Sequence, residues 1–303
     1  MFEFFRLRFH FQAVDPVRFP AGGASNTIRG AMGYTLRQVA CRCHGDQHSP
    51  DCAYTRIFAP RQVAAAGPSG LGDPPRPFVL RSRHLDGQTF GPQSPFSFDL
   101  HLFDIRNPPL PYLVEAFACF AGEGIGADRG RAKLLSVEQL NTDGGKVSVV
   151  WQGGECACLS RPECVPLTHR ISTASLCIHF LTPTELKSES GIANRPEFPV
   201  LFARIRDRIS SLRAFYGSGP LGVDFRSLGD RARSVEMTRC EITRVRHTRH
   251  SSRTGQVHPL GGFTGEAEYR GGVAEFIPYL RAARWTGVGR QTVWGKGEIA
   301  VAI

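Results

Sequence analysis

Hydrophobic and polar positions alternate from the first residues of the chain, with Phe5, Leu7, Phe9 and Phe11 on one side and Arg6, Arg8 and His10 on the other. A period of two is that of a strand with one buried face. A helical stretch follows from about Ser25 to Arg42, and extended segments are predicted over 78–83 and 96–103, where Phe96, Phe98, Leu100 and Leu102 share a face. After Pro111 the period lengthens to that of a helix, with Leu113, Ala116, Phe117 and Phe120 at i, i+3, i+4 and i+7. That helix ends in the glycine-rich loop 122–130, and a strand over 131–140 closes the set.

The same order then recurs. A strand is predicted around Ser175 to Leu181, and a long helix from Pro196 carries Phe198, Leu201, Phe202, Ile205, Ile209 and Leu212 as one stripe. Strands over 235–245 and 265–269 precede a helix over 273–283 that buries Val273, Phe276, Ile277 and Leu280. A second glycine-rich loop leads into a last strand with Ile299, Val301 and Ile303. Both halves therefore read βαββαβ, the split βαβ order. The expected class is α+β: two tandem ferredoxin-like (RRM-like) domains, helices on one face of an antiparallel sheet, with a cleft between the domains. The boundaries fall at 1–140 and 171–303, and 141–170, with little periodicity, reads as the connection.

Composition narrows the partners. With 303 residues, 41% of them hydrophobic, the chain can bury a substantial core. Its 37 Lys and Arg against 27 Asp and Glu give a formal charge of +10, spread along the chain, which favours a polyanion such as nucleic acid. The first eleven residues lack the unbroken apolar core of a signal peptide, and no run of 18 apolar residues occurs. The expectation is a cytoplasmic protein with no membrane partner. Nine cysteines, an odd number without a secretion signal, read as reduced thiols or metal ligands and not as a disulfide framework.

Three stretches carry chemistry by residue type. Over 239–253 stand Arg239, Arg244, Arg246, Arg249 and Arg253, with His247 and His250, against the single acid Glu241. Arginine forks grip phosphates and base edges in pairs of hydrogen bonds, so this segment is an RNA-binding candidate; the alternative is a charged strand edge that deters aggregation. In the loop 287–297, Gly287, Gly289, Gly295 and Gly297 permit positive φ and close approach of backbone N–H groups to a phosphate, while Arg290 and Lys296 add charge. A tight helix-to-strand connection would need the same glycines. Finally, Cys41, Cys43, His44, His48 and Cys52 fall within a dozen positions. A structural zinc held by Cys41, Cys43 and Cys52 competes there with free thiols, the Cys-x-Cys gap being shorter than usual. With zinc bound, His44 becomes the expected fourth ligand and His48 the better candidate for proton transfer. Cys156, Cys158, Cys164 and His169 form a looser second set.

Several of these segments together resemble the signature of the CRISPR-associated pre-crRNA-processing endoribonucleases of the RAMP superfamily. The residues are Arg249, Ser251, Ser252 and Arg253, then Leu260 to Glu266 with Gly261, Gly262 and Gly265, then the loop from Gly287 to Gly297. His250 stands where the family's pattern has an aromatic ring. In the first half, Ile28 to Gly33 and the spacing of Cys52, Tyr54, Phe58 and Pro60 are similar to one branch of that family.

The resemblance implies binding of CRISPR repeat RNA and its cleavage by attack of a ribose 2′-hydroxyl, with no cofactor or metal required. In the family the catalytic histidine, when present, follows the first helix of the first domain, often with a tyrosine on that helix. Here that implies His44 or His48 as proton carrier, supported by Tyr34, with Arg29, Arg37 or Arg56 near the developing charge. Other subunits of a CRISPR effector complex are the implied protein partners. A catalytically inert RNA-binding subunit of such a complex is the competing reading, and an unrelated basic protein with a small metal site is the third.

Overall fold

The computed structural model describes residues 1–43, 48–49, 51–60, 74–126, 128–168, 171–189, 191–246, 248–250, 257–259 and 261–303. They form two compact units. The N-terminal unit comprises Glu3–Cys164 with Leu212–Gly219, and the C-terminal unit comprises Met1–Phe2, Val165–Ser211 and Pro220–Ile303.

In the N-terminal unit the elements run β1 (Phe2–Ala13), α1 (Ala24–Ala40), α2 (Ala53–Phe58), β2 (Phe78–Arg81), β3 (Pro95–Leu102), α3 (Leu110–Glu123), β4 (Ala132–Leu140) and β5 (Lys146–Gln152). The strands pair antiparallel in the order β2-β3-β1-β4-β5. The first four thus have the ferredoxin-like order. The alternation of β1 is realised residue by residue: Phe5, Leu7, Phe9 and Phe11 are buried and Arg6, Arg8 and His10 are half-buried on the opposite face. Phe9 meets Phe117 of α3 at 4.6 Å between ring centroids and Phe98 of β3 at 5.6 Å. Such aromatic packing removes large apolar areas from water and fixes α3 against the sheet. On the other face the buried Asp99 accepts from Arg8 Nε at 2.6 Å and Arg6 Nε at 3.0 Å. Burial pushes the Asp99 carboxyl up, but these two guanidiniums outweigh it and hold it below the usual carboxylate range.

The segment expected as a connection carries β5 instead, which adds a fifth strand beside β4 and places 146–152 in the N-terminal sheet. The glycine-rich loop after α3 serves geometry. A β-carbon at Gly130 would collide with the carbonyl of Pro16, Arg129 bonds back to the carbonyl of Glu123, and Arg131 pairs with Asp15.

The C-terminal unit repeats the order with β6 (Ser175–Thr184), α4 (Phe198–Tyr216, of which the part up to Ser211 belongs to this unit), α5 (Phe225–Ala232), β7 (Glu236–Val245), β8 (Gly262–Arg270), α6 (Ile277–Thr286) and β9 (Ile299–Ala302). Its sheet order, β7-β8-β6-β9, is again ferredoxin-like. The predicted stripe of α4 is buried, and Phe202 packs on Phe276 at 4.5 Å. Among the described residues, no helix is long and apolar enough to cross a membrane.

Candidate functional site

Two places gather the residues singled out in the sequence, one in each unit. In the N-terminal unit the first is the junction of α1 and α2. Ile28, Met32, Leu36 and Ala40 recur every fourth residue and bury one face of α1. Tyr34 lies on the opposite face with 63% of its surface exposed, and Arg37, one turn on, is half-buried. At helical spacing both point along the stripe that ends at Cys41, the residue that caps the helix.

Short α2 is locked to α1 by the Cys52-to-Pro60 segment. A β-carbon at Gly33 would overlap the ring of Phe58, so only glycine admits that ring there. Tyr54 stacks on Phe58 at 5.7 Å and reaches the His48 ring at 5.5 Å. Arg29, expected at an RNA surface, is buried, with its guanidinium 4.4 Å from the Phe58 centroid. That position follows from its place on the apolar face between Ser25 and Met32. Arg56 bonds to Asp104 at 2.9 Å and to the carbonyl of Asn107 at 3.1 Å. Burial raises the Asp104 carboxyl, with Arg56 and the Asn107 amide opposing.

His48 does not stand free in its loop. Its Nδ1 lies 3.3 Å from Cys41 Sγ and 3.7 Å from Cys52 Sγ. With Cys43 Sγ, these ligand atoms all lie within 4.8 Å of one another. Among the described residues the histidine facing the thiols is His48; His44, named as a ligand from the sequence, lies outside the described residues. Of the second cysteine set, Cys156, Cys158 and Cys164 are exposed and join no such group among the described residues, and His169 lies outside them.

The C-terminal unit brings the closing loop and the basic strand together. Gly287, Gly289, Gly295 and Gly297 all have positive φ, between +68° and +76°. Their amides and those of their neighbours are largely committed: Gly287 N–H donates to Ala283, Val288 to Gly297, Arg290 to Glu185, Gly295 to Thr292 and Gly297 to Pro183. A β-carbon at Gly289 would collide with the Glu185 carbonyl and one at Gly297 with that of Val288. Most of the loop's amides are thus engaged within the protein, as a tight helix-to-strand connection requires. Lys296 is buried, which withdraws its charge from the surface, and Arg290 Nη1 pairs with Glu185 at 2.7 Å.

Strand β7 is exposed along most of its length. Arg239 at its start is neutralised by acids the linear sequence did not set beside it: the register with β8 brings Glu266 and Glu268 to join Glu241. Hydrogen bonds to Glu241 and Glu268 raise the Arg239 guanidinium further, and Arg239 in turn holds Glu241 below the usual carboxylate range. Arg244 and Arg246, further along, are exposed, and Arg244 Nη2 donates to Asn194 Oδ1 at 2.5 Å. They line a groove of about 550 Å³ with Glu185, Ile192, Gly262 and Phe263. Glu185, in the wall of this groove, is also the partner of Arg290 in the closing loop. The strand Thr248–His250, which carries Arg249, pairs with Val257–Pro259; Arg253 lies outside the described residues.

Comparison with known proteins follows the same division. Residues 2–163 match the family described as the AF_1859_N N-terminal domain, and residues 178–299 match CRISPR-associated endoribonuclease Cas6. Among solved structures, a Cas6 product complex is similar over 100% of both chains, at 16% identity and a TM-score of 0.60. Thermus thermophilus Cas6 is similar over 99% of this chain and 98% of its own, at 16% identity and a TM-score of 0.53. A chain of a partial Cas6-RT-Cas1–Cas2 complex is similar over 99% of this chain and 46% of its own, at 12% identity and a TM-score of 0.52. At such identities the likeness is one of fold, and it agrees with the doubled ferredoxin-like architecture. No curated protein matches the chain by sequence.

Proposed function

Because this chain belongs to the CRISPR-associated endoribonuclease Cas6 family, we propose that it binds CRISPR repeat RNA and cuts the precursor transcript within its repeats by attack of a ribose 2′-hydroxyl, with no metal ion in the reaction. The observation that carries the RNA-binding part is that Arg244 and Arg246 line one groove, beside Glu185, the acid that pairs with Arg290. Arginine guanidiniums suit phosphates, and two of them open on the same groove.

In the reaction the 2′-oxygen bonds to phosphorus as its proton passes to a base, and the bond to the 5′-oxygen breaks as that oxygen takes a proton from an acid. The products are a 2′,3′-cyclic phosphate and a 5′-hydroxyl. His48 Nδ1 is turned toward two thiols. That favours His44, four residues earlier in the sequence, as the proton carrier, with Tyr34 and Arg37 of α1 in support. Other subunits of a CRISPR ribonucleoprotein complete the expected partners.

Labelled repeat RNA incubated with the full chain in buffer without added divalent cations, with and without EDTA and with the melting temperature followed in both, tests this reading. Cleavage at one position per repeat with cyclic-phosphate and 5′-hydroxyl ends is expected. RNA that is bound tightly and left whole would mean an inert binding subunit instead. The groove has its own measurement. Each phosphate contact contributes about 0.7 to 0.9 to the slope of log affinity against log salt. Replacing Arg244 and Arg246 together by Ala is therefore expected to flatten the slope by about 1.4 to 1.8, and an unchanged slope would reduce β7 to a solvated edge.

A further inference from the structure

We propose that Cys41, Cys43, His48 and Cys52 form a structural zinc site that ties the end of α1 to the start of α2. The donor set is the first reason. Three thiols and one imidazole are the soft ligands zinc prefers, and four protein ligands make a closed site of the structural kind.

Distance is the second reason. In a tetrahedral site with Zn–S of about 2.3 Å and Zn–N of about 2.0–2.1 Å, a sulfur and a nitrogen stand about 3.5–3.6 Å apart and two sulfurs about 3.8 Å. The observed separations from His48 Nδ1 are 3.3 Å to Cys41 Sγ and 3.7 Å to Cys52 Sγ. They bracket the tetrahedral edge. All four donors lie within 4.8 Å of one another, so an ion at their centre needs adjustments no larger than side-chain rotations supply.

The surroundings are the third. Two ligands sit on fixed backbone: Cys41 caps α1, its N–H bonded to Arg37, and Cys52 caps α2, its carbonyl accepting from Arg56. The amide of Ser49 donates to Cys43 Sγ at 3.4 Å, and the Tyr54 ring lies beside His48. Hydrogen bonds and packing of this kind orient metal ligands and hold their charge. A second grouping, Cys177, His179 and Glu266 on the C-terminal sheet, offers only three donors, and Arg239 already engages its carboxylate.

The consequence for the loop follows from chain order. Residues 44–47 run between two ligands, Cys43 and His48. Zinc would therefore fix both ends of the segment carrying His44 while taking no part in the reaction itself.

The test uses the full chain expressed with zinc and purified under reducing conditions. One zinc per chain is expected by elemental analysis, and replacement by cobalt is expected to give thiolate charge-transfer and tetrahedral ligand-field absorption. Cys41→Ser with Cys52→Ser is expected to lose the metal, Cys119→Ser to keep it, and His48→Cys to retain it where His48→Ala does not. A strong chelator is expected to lower the melting temperature of the parent only. The wild-type measurements stand even where a variant fails to fold. Reduced protein without stoichiometric zinc and without a cobalt–thiolate band, a Cys41–Cys52 disulfide in that protein, or zinc persisting in the folded double variant would each overturn the site. Because metal content and spectrum are read without RNA, failure here is distinct from failure to cut.

Discussion

A repeat RNA carrying a single 2′-deoxy nucleotide immediately upstream of the scissile phosphate is expected to bind with nearly unchanged affinity and to remain whole. Removing the hydroxyl removes the nucleophile, so the loss of cleavage is complete and not a matter of degree. Binding rests on many phosphate and base contacts, of which one hydroxyl is a small part. The same substitution one nucleotide away should leave the rate at its parental value, which controls for any change in sugar pucker. A gel and a filter-binding titration read both quantities. If the deoxy substrate is cut, water is the nucleophile and the cyclic-phosphate route is lost.

What the protein must add to that nucleophile is a proton acceptor, a proton donor and positive charge beside the developing phosphorane. Two of the three arginines first expected to supply the charge have other work. Arg29 is packed on Phe58 inside the α1–α2 junction, and Arg56 neutralises the buried Asp104. Removing either would leave an inner surface or a buried carboxylate unmatched, so lost activity in those variants would report folding as much as chemistry. Arg37 is half-buried on α1, one turn from the exposed Tyr34.

Most of the fold was legible because its strands and helices bury one face and leave the other wet. Phe5 to Phe11 and the Phe198 stripe carry the two periods plainly. Strand β5 was not legible, since only Val150 of its seven residues is buried, so that no alternation marks a face. Helix α2 was hidden by its length: six residues are too few to show a period, and its stability comes from Phe58 seated over Gly33.

The site divided along similar lines. Clustering of cysteine and histidine was visible as spacing, but spacing does not say which imidazole turns toward the thiols. The burial of Arg29 could have been read from its position one turn after Ser25 and three residues before Met32. Neutralisation of Arg239 could not, because it depends on the register that sets Glu268 opposite it on the next strand.

Replacement of His44 by Ala is the other large expected effect. A positioned general acid or base contributes a factor of about 10² to 10⁴, so single-turnover cleavage by this variant is expected to slow by that order while affinity for the uncleavable deoxy repeat stays near the parental value. Tyr34→Phe keeps the ring and deletes only the hydroxyl, so a loss of rate there at constant affinity would place that oxygen in proton transfer. His48→Ala behaves differently on this reading: it loses zinc and lowers the melting temperature, and its rate falls because the His44 loop loses an anchor. Restoring the anchor as His48→Cys should recover zinc and much of the rate together, which no variant could do if His48 itself carried the proton. Should His44→Ala and Tyr34→Phe both cut at the parental rate, proton transfer by these groups is excluded, and the rate must come from holding the 2′-oxygen in line with the leaving 5′-oxygen. Alignment of that kind can supply several orders of magnitude unaided. It would show as a rate rising with pH as hydroxide removes the proton, where a histidine carrier gives a rate that levels off or passes through a maximum near neutrality.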